Sequence, residues 1–174
     1  MGRYRKIEPR FFDDEKVRQL CPEGKLVALY MLTASNRCGI YVLSIPKAAD
    51  DLGLLIDTCR TRVGDVCRSL NWHYDKLTRV LYIPSWWRVN LPENPSVMVG
   101  VLSDLDDLPQ TYLLREFAAN TKYLSGRVLE AFQTRVAHVA DTCPTRVPHQ
   151  EQEQEQEQEQ DKKPPLPLTG AGTP

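Results

Sequence analysis

Every aromatic residue of this 174-residue chain lies at or before Phe132, and the composition changes abruptly at Asp141. From there to Pro174 the sequence holds six prolines, no aromatic residue and the strict dipeptide repeat Gln150-Glu-Gln-Glu continuing to Gln160. Such a segment has nothing to bury, and its evenly spaced glutamates repel one another, so residues 141–174 are expected to be a disordered Gln/Glu- and Pro-rich tail. A hydrophobic core must therefore come from the first 140 residues, enough for one compact domain and little more. Charge divides at the same place. Residues 1–100 carry 15 basic and 11 acidic side chains, residues 101–140 carry 4 and 5, and the remainder carries 3 and 7. The formal net charge of −1 thus averages a basic front and an acidic end. Affinity for a polyanion follows local Lys/Arg density, so this average does not exclude nucleic acid as a partner.

Residues 11–34 read as two helices interrupted at Cys21-Pro22. Asp13 or Asp14 caps the first, and the second, Glu23 to Thr33, is apolar on every face and is expected at the centre of the core. Ile40 to Leu43 has the β-branched and aromatic make-up of a strand. Ser44 offers an N-cap, Pro46 suits a first turn, and Gly53 supplies the stop for a helix ending at Leu52. In the following helix, about Asp57 to Leu70, Cys59, Val63, Val66, Cys67 and Leu70 form one apolar stripe at about 100° per residue. Thr61, Gly64, Asp65 and Arg68 lie opposite, with Arg60 and Arg62 on the shoulders. Trp72 to Tyr74 and Arg79 to Ile83 read as the strands of a hairpin joined through Asp75 to Thr78, which Pro84 ends. Prolines 92 and 95 force an extended connection. Helical periodicity returns at about Ser96 to Leu105, Thr111 to Asn120 and Ser125 to Val139. The expected fold is mainly α with a small β-hairpin, in the element order of a winged helix: a winged-helix domain at 1–90, a helical extension packed on it at 91–140, and the tail.

No apolar run approaches the roughly 20 residues of a membrane span, and the basic N-terminus is followed by no signal-like apolar stretch, so a soluble, cytoplasmic protein without a membrane partner is expected. The five cysteines form an odd set with no C-x-x-C pair and no histidine at ligand spacing, which suits small buried side chains in a reducing compartment better than zinc. Phosphate-loop, dinucleotide, nucleophile-elbow and H-E-x-x-H motifs are all missing. His73 stands alone in a strand, and Asp104, Asp106 and Asp107 read as capping and surface charge. The expectation is a protein that is not an enzyme and uses no metal or cofactor.

Basic surface is the remaining source of chemistry. In helix-turn-helix proteins the second helix of the motif enters the major groove while nearby groups hold phosphates. Here that helix is Asp57 to Leu70, so Arg60, Thr61, Arg62 and Arg68 are candidate groove contacts, and Gly64 would let a DNA backbone come close. Lys76 and Arg79 lie at the hairpin tip and its return strand, where a wing meets phosphate or the minor groove. The arm bearing Arg3, Arg5 and Lys6 adds flexible phosphate contacts, whereas Asp57 and Asp65 oppose them. Two other readings stand beside this one. One is a transcriptional regulator with the same DNA chemistry, the other a protein-interaction module that docks partners on the wing, Trp86 and Trp87.

Several strings are more specific. Arg3-Tyr-Arg-Lys-Ile-Glu-Pro-Arg10, Asp14-Glu-Lys-Val-Arg18, Gly24-Lys-Leu-Val-Ala-Leu-Tyr-Met-Leu-Thr33, Cys38-Gly-Ile-Tyr-Val-Leu-Ser-Ile-Pro46, Arg79-Val-Leu-Tyr-Ile-Pro-Ser-Trp-Trp87, Asn90-Leu-Pro-Glu-Asn-Pro-Ser-Val97 and Asp107-Leu-Pro-Gln-Thr111 together resemble the N-terminal domain of phage-type replication-initiation, or replisome organiser, proteins over roughly residues 3–140. The resemblance implies a winged helix that recognises double-stranded origin DNA and recruits a replicative helicase or its loader, with the Gln/Glu repeat as a linker to a further region. The sequence departs from that plan after Asp161, where only 13 residues remain. A homo-oligomer is compatible with everything above.

Overall fold

A computed structural model describes residues 6–142, with side chains through residue 137. Arg3, Arg5 and the expected tail from Cys143 onward lie outside the described residues, which fall within one compact unit. A 3-10 turn at Phe11–Asp13 leads into the single helical turn α1 (Glu15–Arg18), where Asp14 accepts the Lys16 amide. Pro22 then opens α2 (Pro22–Ala34), and the Cys21 sulfur accepts the Gly24 N–H that would otherwise be orphaned. Next come β1 (Ile40–Val42), α3 (Ile45–Leu52), α4 (Ile56–Leu70), β2 (His73–Asp75) and β3 (Val80–Tyr82). Ser44 caps α3 and left-handed Gly53 stops it. The second half is helical: α5 (Trp87–Asn90), α6 (Pro95–Leu102), a 3-10 turn at Ser103–Leu105, α7 (Leu113–Ala119) and α8 (Gly126–Thr142). None of the described helices is long and apolar enough to cross a membrane.

The strands form one antiparallel sheet in the order β1-β3-β2, with Ile40 and His73 both opposite Tyr82, and Tyr41 and Tyr74 both opposite Leu81. Alternation therefore puts Tyr41, Leu81 and Tyr74 on one face and Ile40, Tyr82 and His73 on the other. The first face meets the early helices, and the Tyr41 hydroxyl donates to the Met31 carbonyl of α2 at 3.0 Å. The second face is covered by α7 and the segment before it. Phe117 stacks edge-on against Tyr82 with centroids 5.8 Å apart, Asn120 donates to the Tyr82 oxygen at 2.6 Å, Thr111 donates to Asp75 at 2.6 Å, and His73 pairs with Glu116. All three residues of β3 are buried, so neither face of the hairpin's return strand is left to solvent.

The loop between α2 and β1 ties the two halves together. Asn36 Oδ1 accepts the amides of Cys38 and Ile40, and Arg37 grips Asp104 through its backbone N–H and its guanidinium, with Nε 3.1 and 3.2 Å from the two oxygens. Asp104 is thus an anchor between halves, where surface charge was expected, and Asp106 likewise pairs with Arg135 of α8. Gly39, at φ +73°, lies under Trp86, whose indole N–H reaches the Arg37 carbonyl at 2.8 Å. A Cβ at Gly39 would lie 2.3 Å from Trp86 Cγ, so only glycine fits. Two further expectations change. Helix α2 is not buried all round: α3 and α4 pack against it, and Leu26 remains 44% exposed. Thr111 does not open a helix but is a buried hydrogen-bond donor ahead of α7.

Two outcomes follow from this packing. Gly39→Ala is expected to cost about 2–5 kcal/mol, the sum of left-handed strain and overpacking, read as a lowered urea midpoint at unchanged m. A midpoint equal to wild type would refute the tight approach of Trp86. Burial also pushes the Tyr82 hydroxyl up to about 12, despite the opposing hydrogen bond from Asn120, and raises Tyr41 as well. Unfolding returns both to about 10, so above that pH the unfolded chain loses protons that the native state keeps. Stability should hold to about pH 9 and fall beyond pH 10, by up to about 1.4 kcal/mol per pH unit per tyrosine. Urea midpoints that stay flat to pH 11.5 would contradict this.

Candidate nucleic-acid interface

Helix α4 forms because its apolar residues recur on one side. Cys59, Val63 and Val66 are buried, Cys67 and Leu70 partly so, and left-handed Asn71 ends the helix with its N–H on the Cys67 carbonyl. The opposite side is an open row of Asp57, Arg60, Thr61, Gly64 and Arg68. No described residue comes within 4 Å of where a Cβ at Gly64 would stand, so the middle of this row is open. The row is not a bare set of cations. Arg60 pairs with Asp57, Arg68 Nη1 lies 3.3 Å from Asp65, and Thr61 returns its hydroxyl proton to the Asp57 carbonyl at 2.9 Å. These are solvent-exposed pairs, weak and readily exchanged for another anion.

Arg62 does not join the row. Its guanidinium bonds Asp65 at 2.9 Å, and that bond, followed by the neighbouring Cys21 and Glu23 at the start of α2, holds its pKa above the ordinary value. Arg62 Nε is buried without a hydrogen-bond partner, and on the same flank Ser69 bonds the Lys16 carbonyl of α1. The 62–69 flank of α4 therefore faces α1 and the start of α2. On the other flank Tyr74 of β2 stands between α4 and the hairpin. Burial, followed by the neighbouring Cys67, raises the pKa of its hydroxyl, and the charges of Arg79 and Arg60 act against that rise. Arg60 of α4 and Arg79 of the hairpin are both exposed.

The hairpin tip is the four-residue turn Lys76–Arg79. Lys76, Leu77 and Arg79 are exposed, and no carboxylate among the described residues pairs with Arg79. Arg79 has φ +59°, a left-handed conformation uncommon for a residue with a Cβ. Asp75, only 4% exposed, fixes the turn by accepting the Leu77 amide at 3.0 Å and the Thr78 hydroxyl at 2.7 Å.

Lys6 is placed elsewhere. Its backbone and the Asn90 side chain exchange two hydrogen bonds of 2.9 and 3.1 Å, and it lines a cavity of about 270 Å³ with Leu70, Trp72 and Trp86, near the C-terminal end of α4. Arg3 and Arg5 lie outside the described residues. Trp86 and Trp87 are 3% and 2% exposed, so the expected protein-docking surface built on them does not exist. Burial pushes the Cys67 thiol up to about 12 and raises Cys59, which makes both poor nucleophiles. No group of three His, Cys, Asp or Glu side chains converges on a metal site among the described residues. Sequence reasoning passed over Tyr74 and Leu77. The first sits in a strand too short to show its facing, and the second reads as a turn filler.

Comparison with protein-family models, with curated proteins and with solved structures returns no match. The helix itself offers a clean stability test. Gly64→Ala introduces no clash and should raise unfolding free energy by about 1 kcal/mol through helix propensity alone. Equal or lower stability in urea would mean that the open row is covered in solution.

Proposed function

We propose that residues 1–90 form a winged helix that binds double-stranded DNA in sequence-specific fashion, with α4 in the major groove and the β2–β3 hairpin as the wing. The order of helices and strands and the antiparallel arrangement β1-β3-β2 support this reading. The observation that carries it is the exposed row of Arg60, Thr61, Gly64 and Arg68 on the outward side of α4, where no described residue comes within 4 Å of a Cβ at Gly64. A protein reading duplex DNA needs cations from two elements on one surface, since phosphate contacts set the register in which a helix reads base edges. Arg68, Thr61 and Gly64 complete the helix face, and Lys76 joins Arg79 on the wing.

The protein is proposed to act without catalysis in phage or prophage replication initiation, as a cytoplasmic origin-binding factor that recruits a helicase or its loader. The replication role rests on the resemblance of the strings quoted above. A transcriptional regulator would share the DNA chemistry and differ in the fragments bound. Recovery of promoter fragments, not origin fragments, from sheared source DNA would decide for it. Fluorescence anisotropy of the full chain with a selected duplex tests the interface. Affinity should fall steeply between about 50 and 200 mM salt. Arg79→Gly should lower the log–log salt slope by about one, Arg68→Ala should weaken binding and relax sequence preference, and Arg62→Ala should leave the slope unchanged. Gly64→Ala should weaken binding although it stabilises the fold. No duplex binding at low salt would overturn the proposal.

A further inference from the structure

Turns usually carry polar residues or glycine at the apex. The β2–β3 turn instead carries Leu77, which is 79% exposed, between the exposed cations Lys76 and Arg79. We propose that Leu77 is a wedge that enters the minor groove and partly unstacks a pyrimidine–purine step, bending the duplex. The inference rests on the DNA-binding reading above and adds to it a named contact and a preferred kind of step.

Three features carry the argument. The first is the flanking charge: the apex residue lies between Lys76 and Arg79, both exposed, and the acid next to them in sequence, Asp75, is buried and bonded inward to Thr111 at 2.6 Å. A protein partner would have no need of that arrangement. Size is the second. The minor groove is about 6 Å wide, too narrow for a two-stranded ribbon but open to one branched side chain. Stiffness is the third. A wedge unstacks bases only if its own backbone does not yield, and here the turn is short and held by Asp75, which accepts the Leu77 amide and the Thr78 hydroxyl and is itself fixed by Thr111. Steps of the TA and CA/TG type unstack most easily, so they are the expected sites of insertion.

The test uses the full chain and duplexes that it selects from a random pool. Bending is read by energy transfer between end labels, and unstacking by 2-aminopurine placed at the candidate step. Wild type should bend the duplex by roughly 20–90° and brighten the 2-aminopurine. Leu77→Ala should leave the duplex straight and dark and bind more weakly. Leu77→Phe should keep the bend, and Leu77→Lys should lose it despite the added charge. Leu77 is 79% exposed and not a member of the core, and circular dichroism checks that each variant is folded. A straight duplex with wild type, or a bend indifferent to residue 77, overturns the wedge while leaving DNA binding intact, and indifference would reassign the tip to a protein contact. Failure to retain any duplex from the pool overturns both readings.

Discussion

The described fold depends on the central strand Val80–Tyr82 being covered on both faces. Three residues between two equally short neighbours make a sheet too small to hold itself together. It persists because α2 and α4 close one face and α7 closes the other, through Phe117 against Tyr82 and the two hydrogen bonds of Asn120 to Tyr82 and Pro84. The helical second half is thus structural support for the hairpin. Its helices share one continuous core with the first half, in which Phe117 lies against Trp87, Tyr82 and Phe132.

Asp75 carries this support to the surface. A carboxylate in an apolar setting is costly unless donors surround it, and here an amide and two hydroxyls do so. One of those hydroxyls, from Thr111, belongs to the approach to α7, while the other two donors belong to the hairpin turn. The position of the tip is therefore set from the far side of the sheet. His73 and Glu116 repeat the connection one pair further along the same face.

Much of this was legible from the residues. Ser44, Pro46 and Gly53 bracket α3 as their chemistry requires, and the stripe from Cys59 to Leu70 orients α4 correctly. What failed had a common cause: the deciding partner was distant in sequence. Leu26 looks like core because its neighbours do, yet no later element covers that side of α2. Arg62 sits on the shoulder of the wheel, which is symmetric with respect to Arg60. Only the placement of Glu23 and Tyr74 decides which shoulder faces inward. Asp104 lies in an acidic run, and nothing local announces that Arg37 will claim it. Apolar and aromatic residues fill both faces of Val80 to Ile83, and nothing local says that a later helix, α7, will roof the second.

The arrangement of charge on α4 bears on discrimination more than on attraction. Arg60 and Arg68 already have carboxylate partners on their own helix, so the open row presents little net field to a distant polyanion. An arginine in such a pair gains little by trading one oxygen anion for another at a phosphate. It gains more at a guanine edge, where two acceptors meet its fork and the released aspartate stays in water. Arg79 pairs with no carboxylate among the described residues and, on the DNA-binding reading, suits the phosphate backbone. On the DNA-binding reading the two kinds of arginine therefore divide the work: the hairpin cation holds the duplex in place, and the paired helix cations are withheld from any sequence that does not reward their release. A modest basic excess in the first hundred residues then reflects how the surface selects, since a strongly basic face would bind every duplex alike.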